Sequence, residues 1–512
     1  MASAGSRSRA DALAHLHQSY RQGQLRILVG AGSSVASGFP RWDQLNLNLL
    51  DQFLRLETSE NKFVTEEGRR SLAQRLYDAL GRDAAADFVK LATGDEYFTH
   101  LARALYEGRA IGDLPIRSVH RHLAALADKA DVYTTNYDPL IELAIQRLRG
   151  TRDWLPYRRA CTRGFKPQAK RPLVYHVHGF LDEDGTPGGT VILTDAQYFA
   201  LQQNPRMGAN LALTGILESK GAVLIIGMSF TDSNLRRLIY WRSHQAKPAN
   251  KVYAVLKAGD PALLDYTEKH WASRRVELFP IEDYEEIPEL LRDVRWGPPR
   301  PGAVPSWCGP SLTWIRRHLP ERVLFSDEWQ QASYLAMRAL KKQFYKQFGL
   351  PFEERINISL FVPRKQRGDD AVYLCKVATT SSQNDGRGAR VVAQSRRFAL
   401  HAGREEGVAG RAFVSGRTFA AAEGDGLLNA NFPRRKTPWD AEDSQRDWRS
   451  LMVIPLLDTE EWIPLAVIVV TSNLMRPFWT RFGERRDDYL AELETCARNV
   501  ARLLLSPKDL DA

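Results

Sequence analysis

Residues 25–42 read LRILVGAGSSVASGFPRW, and this stretch constrains the fold more than any other. Leu25, Ile27, Leu28 and Val29 make a short, nearly continuous apolar run, the signature of a strand buried on both faces of a parallel sheet. Gly30-Ala31-Gly32 follows at once, and then the hydroxyls of Ser33 and Ser34. A strand running into a glycine turn lets backbone N–H groups approach an anion without interference from Cβ atoms. A helix beginning just beyond it would add a field that favours phosphate. The strict dinucleotide fingerprint needs a third small residue three positions after Gly32, but Val35 stands there. Taken alone, the loop fits a phosphate or nucleotide site, or an ordinary tight turn.

At 512 residues the chain exceeds one ordinary core, so two or three domains are expected. Its four cysteines, Cys161, Cys308, Cys375 and Cys496, are far apart and form no C-x-x-C pair. That spacing argues against a disulfide framework and against a zinc site built from cysteines. The amino terminus has no apolar signal region, and the longest aliphatic runs, 222–226 and 465–470, are far too short to span a bilayer. A cytoplasmic protein with no membrane partner and no bound metal is expected. The net charge of +10 favours anionic ligands, nucleotides among them. It would also admit nucleic acid, though no sequence element supports that partner.

In chain order, helices are expected over residues 8–21, 42–54, 66–80, 84–92, 97–107 and 120–127. A strand at 131–135 then runs into Asn136-Tyr137-Asp138-Pro139, and Pro139 suits the start of a helix over 140–147. Residues 173–177 (LVYHV) form another strand ending at His178-Gly179. Residues 191–193 read as a short strand, and Asp195 as the cap of a helix over 196–203. The apolar strand 222–226 ends at Gly227-Met228-Ser229-Phe230, with a helix over 234–241 and further strands at 252–256 and 276–279. Strands alternating with helices, each strand ending in polar or glycine residues, predict an open α/β sheet with ligands at the carboxyl ends.

From Trp296 to Pro320 the composition turns to proline, glycine and tryptophan, as in a linker. Beyond it the pattern is a long helix over 327–348, strands at 355–362, 371–377 and 397–400, and a short helix over 407–415. Strands at 451–457 and 463–471 and a closing helix over 484–505 complete an α+β domain. Residues 381–388 and 420–444 read as loops.

Four strand ends thus offer polar groups to one crevice: the Gly30 loop, Asn136 with Asp138, His178, and Ser229 with Asp232. In order they read GAGSS then GFPRW, TTNYD, HG and GMSFTDSN. Over roughly residues 20–285 this succession resembles the sirtuin-like superfamily, and most the divergent prokaryotic branch that degrades NAD in antiphage defence. The resemblance implies a Rossmann-like sheet and NAD as the substrate. Asn136 would hold the nicotinamide ribose or the attacking water, and His178 would be the general base. Asp138 would orient the nicotinamide side or Asn136, and Gly30, Ala31, Gly32, Ser33 and Ser34 would hold the pyrophosphate. Gly227, Ser229 and Asp232 would line the adenosine half. Deacylating sirtuins carry a zinc module with four cysteines, whereas this chain offers Cys161 alone between His100 and Gly179.

The chemistry suits a lone base. Nicotinamide leaves NAD as a neutral molecule, so its departure needs no general acid, unlike ordinary glycoside cleavage with its two carboxylates. The site must stabilise an oxocarbenium-like sugar, place a nucleophile and exclude water. An imidazole can take the remaining proton near neutrality. His176, two positions before His178, is a rival for that task. Trp42 reads as packing beneath the loop rather than as a platform for a base.

The stretches RINISLFV (355–362), EGVAGRAFVSGRTF (406–419), SLMVIPLL (450–457) and PLAVIVVTSN (464–473) resemble a GAF domain. The resemblance implies a small-molecule sensor or an oligomerisation module. The sequence thus predicts a sirtuin-like catalytic domain over 1–290, a Pro/Gly-rich linker over 291–320 and a GAF-like domain over 321–512. The expected activity is NAD cleavage to nicotinamide and ADP-ribose by a homo-oligomer under the control of a small-molecule or phage-derived activator. Two alternatives stay open at this level: an NAD-dependent deacylase or ADP-ribosyltransferase, and a nucleotide-binding switch without catalysis.

Overall fold

The computed structural model describes residues 4–57, 65–162, 172–245 except 231, 250–298 except 259, and 306–365 except 325, 349, 351–353 and 355. It also describes 372–380, 397–422 except 402, 403 and 406, and 450–457, 463–474 and 495. The chain divides into two compact units, Met1–Gly297 and Pro298–Ala512.

The first unit carries β1 (Leu25–Val29), β2 (Asp131–Thr134), β3 (Arg158–Ala160) and β4 (Val174–His176). A two-residue hairpin of β5 (Phe180–Leu181) and β6 (Pro187–Gly188) follows, and then β7 (Gly221–Ile226), β8 (Asn250–Lys257) and β9 (Val276–Ile281). Seven of these strands form a parallel sheet in the order β3-β4-β2-β1-β7-β8-β9. From β1 the chain passes to β2 on one side, where β3 takes the edge and β4 fills in between, and later to β7, β8 and β9 on the other, so the topological switch, where such sheets bind ligands, lies at the carboxyl end of β1.

Alternation along each strand divides the core into two layers. Leu25, Ile27 and Val29 of β1 join Val132, Val174, Leu224 and Ile226 on one face. Leu28 joins Tyr133, Tyr175, Val223 and Ile225 on the other. Helices Ala4–Arg21, Trp42–Glu57, Tyr97–Tyr106, Ser118–Leu126 and Leu140–Arg149 cover the first face. Asp195–Gln203, Gly208–Glu218 and Ser233–Ser243 cover the second. Removing each such aliphatic side chain fully from water stabilises the fold by about 1.5–3 kcal/mol.

Several local expectations are corrected. The segment after Gly30 is two short 3₁₀ turns, Ala31–Ser33 and Val35–Ser37, and the first full helix starts only at Trp42. Residues 191–193 are not a strand. The helix at 195–203 is capped by Thr194, not Asp195: the Thr194 hydroxyl accepts from the Gln197 N–H, and the Gln197 side chain returns to the Thr194 N–H. β3 and helices Gly208–Glu218, Pro261–Ala272 and Ile287–Trp296 were not anticipated.

In the second unit the described strands form an antiparallel sheet in the order β13-β12-β11-β10-β16-β15-β14. These are β10 (Ile356–Lys365), β11 (Val372–Thr379), β12 (Arg397–His401), β13 (Arg404–Glu405), β14 (Phe419–Ala422), β15 (Ser450–Leu457) and β16 (Pro464–Ser472). Helices Asp327–Phe348 and Gly407–Ser415 accompany them, giving the expected α+β class. Within the stretch read as linker, Cys308–His318 is helical, and its buried Ser311 donates to the carbonyl of Pro464 at 2.8 Å. The loop at 381–388 and the closing helix at 484–505 fall outside the described residues, apart from Thr495.

Candidate active site

The Gly30 loop owes its shape to a second loop. Gly227, at the exit of β7, has φ +67°, and a Cβ there would lie 2.7 Å from the Ser33 nitrogen and 2.9 Å from the Gly30 carbonyl oxygen. Reciprocally, a Cβ on Gly30 or Gly32 would strike the Gly227 carbonyl oxygen at 2.7 or 2.9 Å. The two turns therefore touch backbone to backbone, joined by Gly30 N–H to Ile226 O (2.8 Å) and Gly32 N–H to Gly227 O (2.9 Å). Ser33 and Ser34 N–H donate to Gly30 O and Ala31 O. Four N–H groups of the expected phosphate cradle are thus already donated within the fold. Carbonyls at the far end of the segment are held by two arginines that sequence reasoning missed. Arg109 donates to Ser37 O and Gly38 O, and Arg117 to Ala36 O.

Asn136 follows β2 and is 7% exposed. Its N–H donates to Thr134 Oγ1 (3.0 Å), and its Nδ2 donates to Ser34 Oγ (3.0 Å) and Ser33 Oγ (3.4 Å). Its backbone carbonyl accepts from His176 Nδ1 at 2.8 Å. Of its four polar groups, Oδ1 alone is buried without a partner. Asp138 lies in the same cluster: it takes the Leu140 N–H at 3.2 Å, starting helix Leu140–Arg149, and bonds the Ser34 hydroxyl. Burial raises its carboxyl pKa, and the Ser34 and Leu140 bonds oppose that rise.

His178 sits just past β4 and is 1% exposed, with neither ring nitrogen hydrogen-bonded. Its Nε2 faces Asp232 Oδ2 at 3.6 Å, and Tyr198 packs edge-on to its ring with the phenol 3.5 Å from the same carboxylate oxygen. Asp232 Oδ1 caps helix Ser233–Ser243 by accepting from Leu235 N–H at 2.8 Å. Burial lowers the His178 pKa, and Asp232 pulls it part of the way back. Gly179 has φ +74°, and a Cβ there would meet the Thr190 carbonyl oxygen at 2.7 Å, so the residue after His178 must be glycine.

The structure thus joins Ser33, Ser34, Asn136 and Asp138 in one hydrogen-bonded group and pairs His178 with Asp232. Ser229 is exposed on the Gly227 loop, and Trp42 packs against Tyr137 and Tyr198. His176, the rival base, is fully buried with both nitrogens engaged, Nδ1 on Asn136 and Nε2 on Glu142 Oε1 at 2.5 Å. Cys161 is buried, its thiol pKa pushed up to about 12, which makes it a poor nucleophile or ligand. Among the described residues no group of three His, Cys, Asp or Glu side chains is placed to hold a metal, and no helix is long and apolar enough to cross a membrane. Sequence reasoning missed Glu142, Arg158 and Tyr198. Glu142 did leave a signal, as a carboxylate inside the apolar run LIELAI.

Residues 130–279, within the first unit, match the model of the SIR2-like domain. Three curated relatives match part of the chain. An NAD(+) hydrolase ThsA of Cytobacillus dafuensis is 29% identical over 42% of this chain and 37% of its own length. Defense-associated sirtuin 2 of Bacillus subtilis is 26% identical over 45% of this chain and 20% of its own. An NAD(+) hydrolase ThsA of Enterococcus faecium is 25% identical over 54% of this chain and 56% of its own. The chain therefore spans less than two thirds of the length of each of these relatives.

Proposed function

We propose that the first unit cleaves NAD at the bond between nicotinamide and ribose, releasing nicotinamide and ADP-ribose, free or cyclised. One observation carries this reading. At the carboxyl ends of β2 and β4, beside the topological switch, Asn136 Oδ1 and both ring nitrogens of His178 are buried without a hydrogen-bond partner. Buried polar atoms are normally paired, so such atoms at a strand-end crevice are positioned for a bound group. Asn136 Oδ1 is an acceptor suited to a ribose hydroxyl or a water. Because burial lowers its pKa, His178 is neutral at pH 7 and able to accept a proton. No acid is required, because nicotinamide departs from a pyridinium as a neutral molecule. Two relatives named NAD(+) hydrolase support the same chemistry.

In this reading Ser229 and the Gly227 turn face the adenosine half, and the Gly30–Ser34 segment acts chiefly by holding Ser33 and Ser34 against Asn136. We further read the protein as a cytoplasmic effector of antiphage defence that works as a homo-oligomer. The second unit, a GAF-like sensor, answers a small-molecule or phage-derived trigger. The name of the Bacillus subtilis relative supports the defence role, and the antiparallel α+β sheet supports the sensor. The decisive experiment incubates the full chain with NAD and measures free nicotinamide. Release is expected, and intact NAD at all trigger conditions overturns the activity. Comparing the full chain with residues 1–297 tests control: equal rates and equal assembly state in both would remove the second unit as regulator.

A further inference from the structure

His176 and Glu142 are 0% exposed, yet both are ionisable, and the proposed chemistry uses neither directly. They belong to a chain of polar contacts running toward Asn136. Asp182 Oδ1 accepts from Arg158 Nη1 at 2.7 Å, and the Arg158 guanidinium lies 4.1 Å from the ring centres of both Trp154 and Phe180. Arg158 Nε stands 3.6 Å from Glu142 Oε1, which in turn meets His176 Nε2 at 2.5 Å. The opposite nitrogen of that imidazole, Nδ1, reaches the Asn136 carbonyl at 2.8 Å. A carbonyl oxygen can only accept, so Nδ1 carries a hydrogen, and the 2.5 Å contact of Nε2 with Glu142 requires a second proton shared between the imidazole and the carboxyl group.

Burying a carboxylate, an imidazole and a guanidinium carries a desolvation cost that an apolar cluster of equal volume would avoid, so core stability alone does not account for them. What the chain does is fix Asn136. With its N–H held by Thr134 and its Nδ2 by Ser33 and Ser34, the carbonyl is the remaining backbone anchor, and His176 supplies it. We infer that Asp182, Arg158, Glu142 and His176 form a positioning chain that locks the Asn136 backbone, so that its Oδ1 is presented in one orientation to the reacting ribose. The inference rests on the reading of Asn136 in NAD cleavage. His176 is thereby a positioning residue and not a second base.

Two substitutions in the full chain separate the two ends of the imidazole. His176→Asn places an amide N–H where Nδ1 stood and keeps the bond to the Asn136 carbonyl. His176→Gln reaches toward Glu142 and loses that bond. Displacing a group at a reacting centre costs about 10²-fold, so His176→Gln should lower kcat by that order, with KM for NAD within about threefold. His176→Asn should stay within about tenfold of wild type, and the acid limb of the pH–rate profile should not move in either variant. Hydrogen exchange gives a readout free of catalysis: amides at 134–140 should exchange faster in His176→Gln and near the wild-type rate in His176→Asn. Equal or reversed ranking of the two variants, or loss of the acid limb with His176, overturns the chain. Glu142→Gln keeps a hydrogen-bonding partner and should retain both rate and protection. Should either histidine variant fail to fold, Glu142→Ala, which removes the partner of His176 Nε2, takes their place: faster exchange at 134–140 together with a lower kcat supports the chain, and full protection at 134–140 overturns it. A wild-type protein that releases no nicotinamide refutes the parent reading instead, and the exchange ranking then decides the chain by itself.

Discussion

Replacing Gly227 by alanine tests whether the two glycine turns are a rigid interlock or a loose contact. Alanine at φ +67° costs roughly 1–2 kcal/mol from backbone conformation alone. Its Cβ would lie 2.7 Å from the Ser33 nitrogen and 2.9 Å from the Gly30 oxygen, both backbone atoms that cannot swing aside. Relief requires the turns to separate, which strains the Gly32–Gly227 and Gly30–Ile226 hydrogen bonds, each contributing about 1 kcal/mol net. The sum is about 3–4 kcal/mol, and at about 2–4 °C per kcal/mol for a large domain the unfolding transition of the first unit should fall by about 6–16 °C. Gly150→Ala is the control. Gly150 also has positive φ (+62°), as the cap of helix Leu140–Arg149, but nothing lies within 4 Å of its would-be Cβ. It should lose only the backbone cost, about 2–8 °C by the same conversion. Scanning calorimetry of the full-length variants reads both shifts. Equal shifts for Gly227→Ala and Gly150→Ala would refute the interlock, because the difference between them is the packing effect.

Asn136→Ala should reduce nicotinamide release by at least about 10²-fold, the usual cost of losing a positioned group at the reacting centre. Its thermal stability should fall by only about 1–2 kcal/mol, since only the hydrogen bonds to Ser33 and Ser34 are lost. Near-normal turnover in a folded variant would remove Asn136 from the chemistry. The pH dependence follows from His178, which must be neutral to act as a base and whose pKa is lowered from 6.5 mainly by burial. The acid limb of kcat/KM should therefore lie below pH 6.5, with activity lost as pH falls through it and flat just above. Asp232→Asn removes the charge that pulls this pKa upward, so the limb should move to still lower pH; an upward move would contradict the assigned pairing.

Most of the strands were readable in the amino-acid order because they depend on local patterns. Apolar runs at 25–29 and 222–226, a glycine or polar residue closing each strand, and the change of character beyond Trp296 all show without any distant contact. The same holds for the residues gathered at the strand ends, since parallel strands of one sheet bring their carboxyl termini together whatever their order. β3 escaped detection because Arg158-Arg159-Ala160 has no apolar pattern and is held in place by pairing with β4. Thr194 and Asp195 are both acceptable caps, and only the backbone path decides between them. The reason for Gly30 and Gly32 was likewise hidden, because it lies almost 200 residues away in the backbone of Gly227. His176 and His178 look equivalent two positions apart. The tertiary fold separates them by placing Glu142 against one and Asp232 beside the other. Such partners are set by how distant segments pack, and a side chain's hydrogen-bonding and charge depend on those neighbours more than on its own identity.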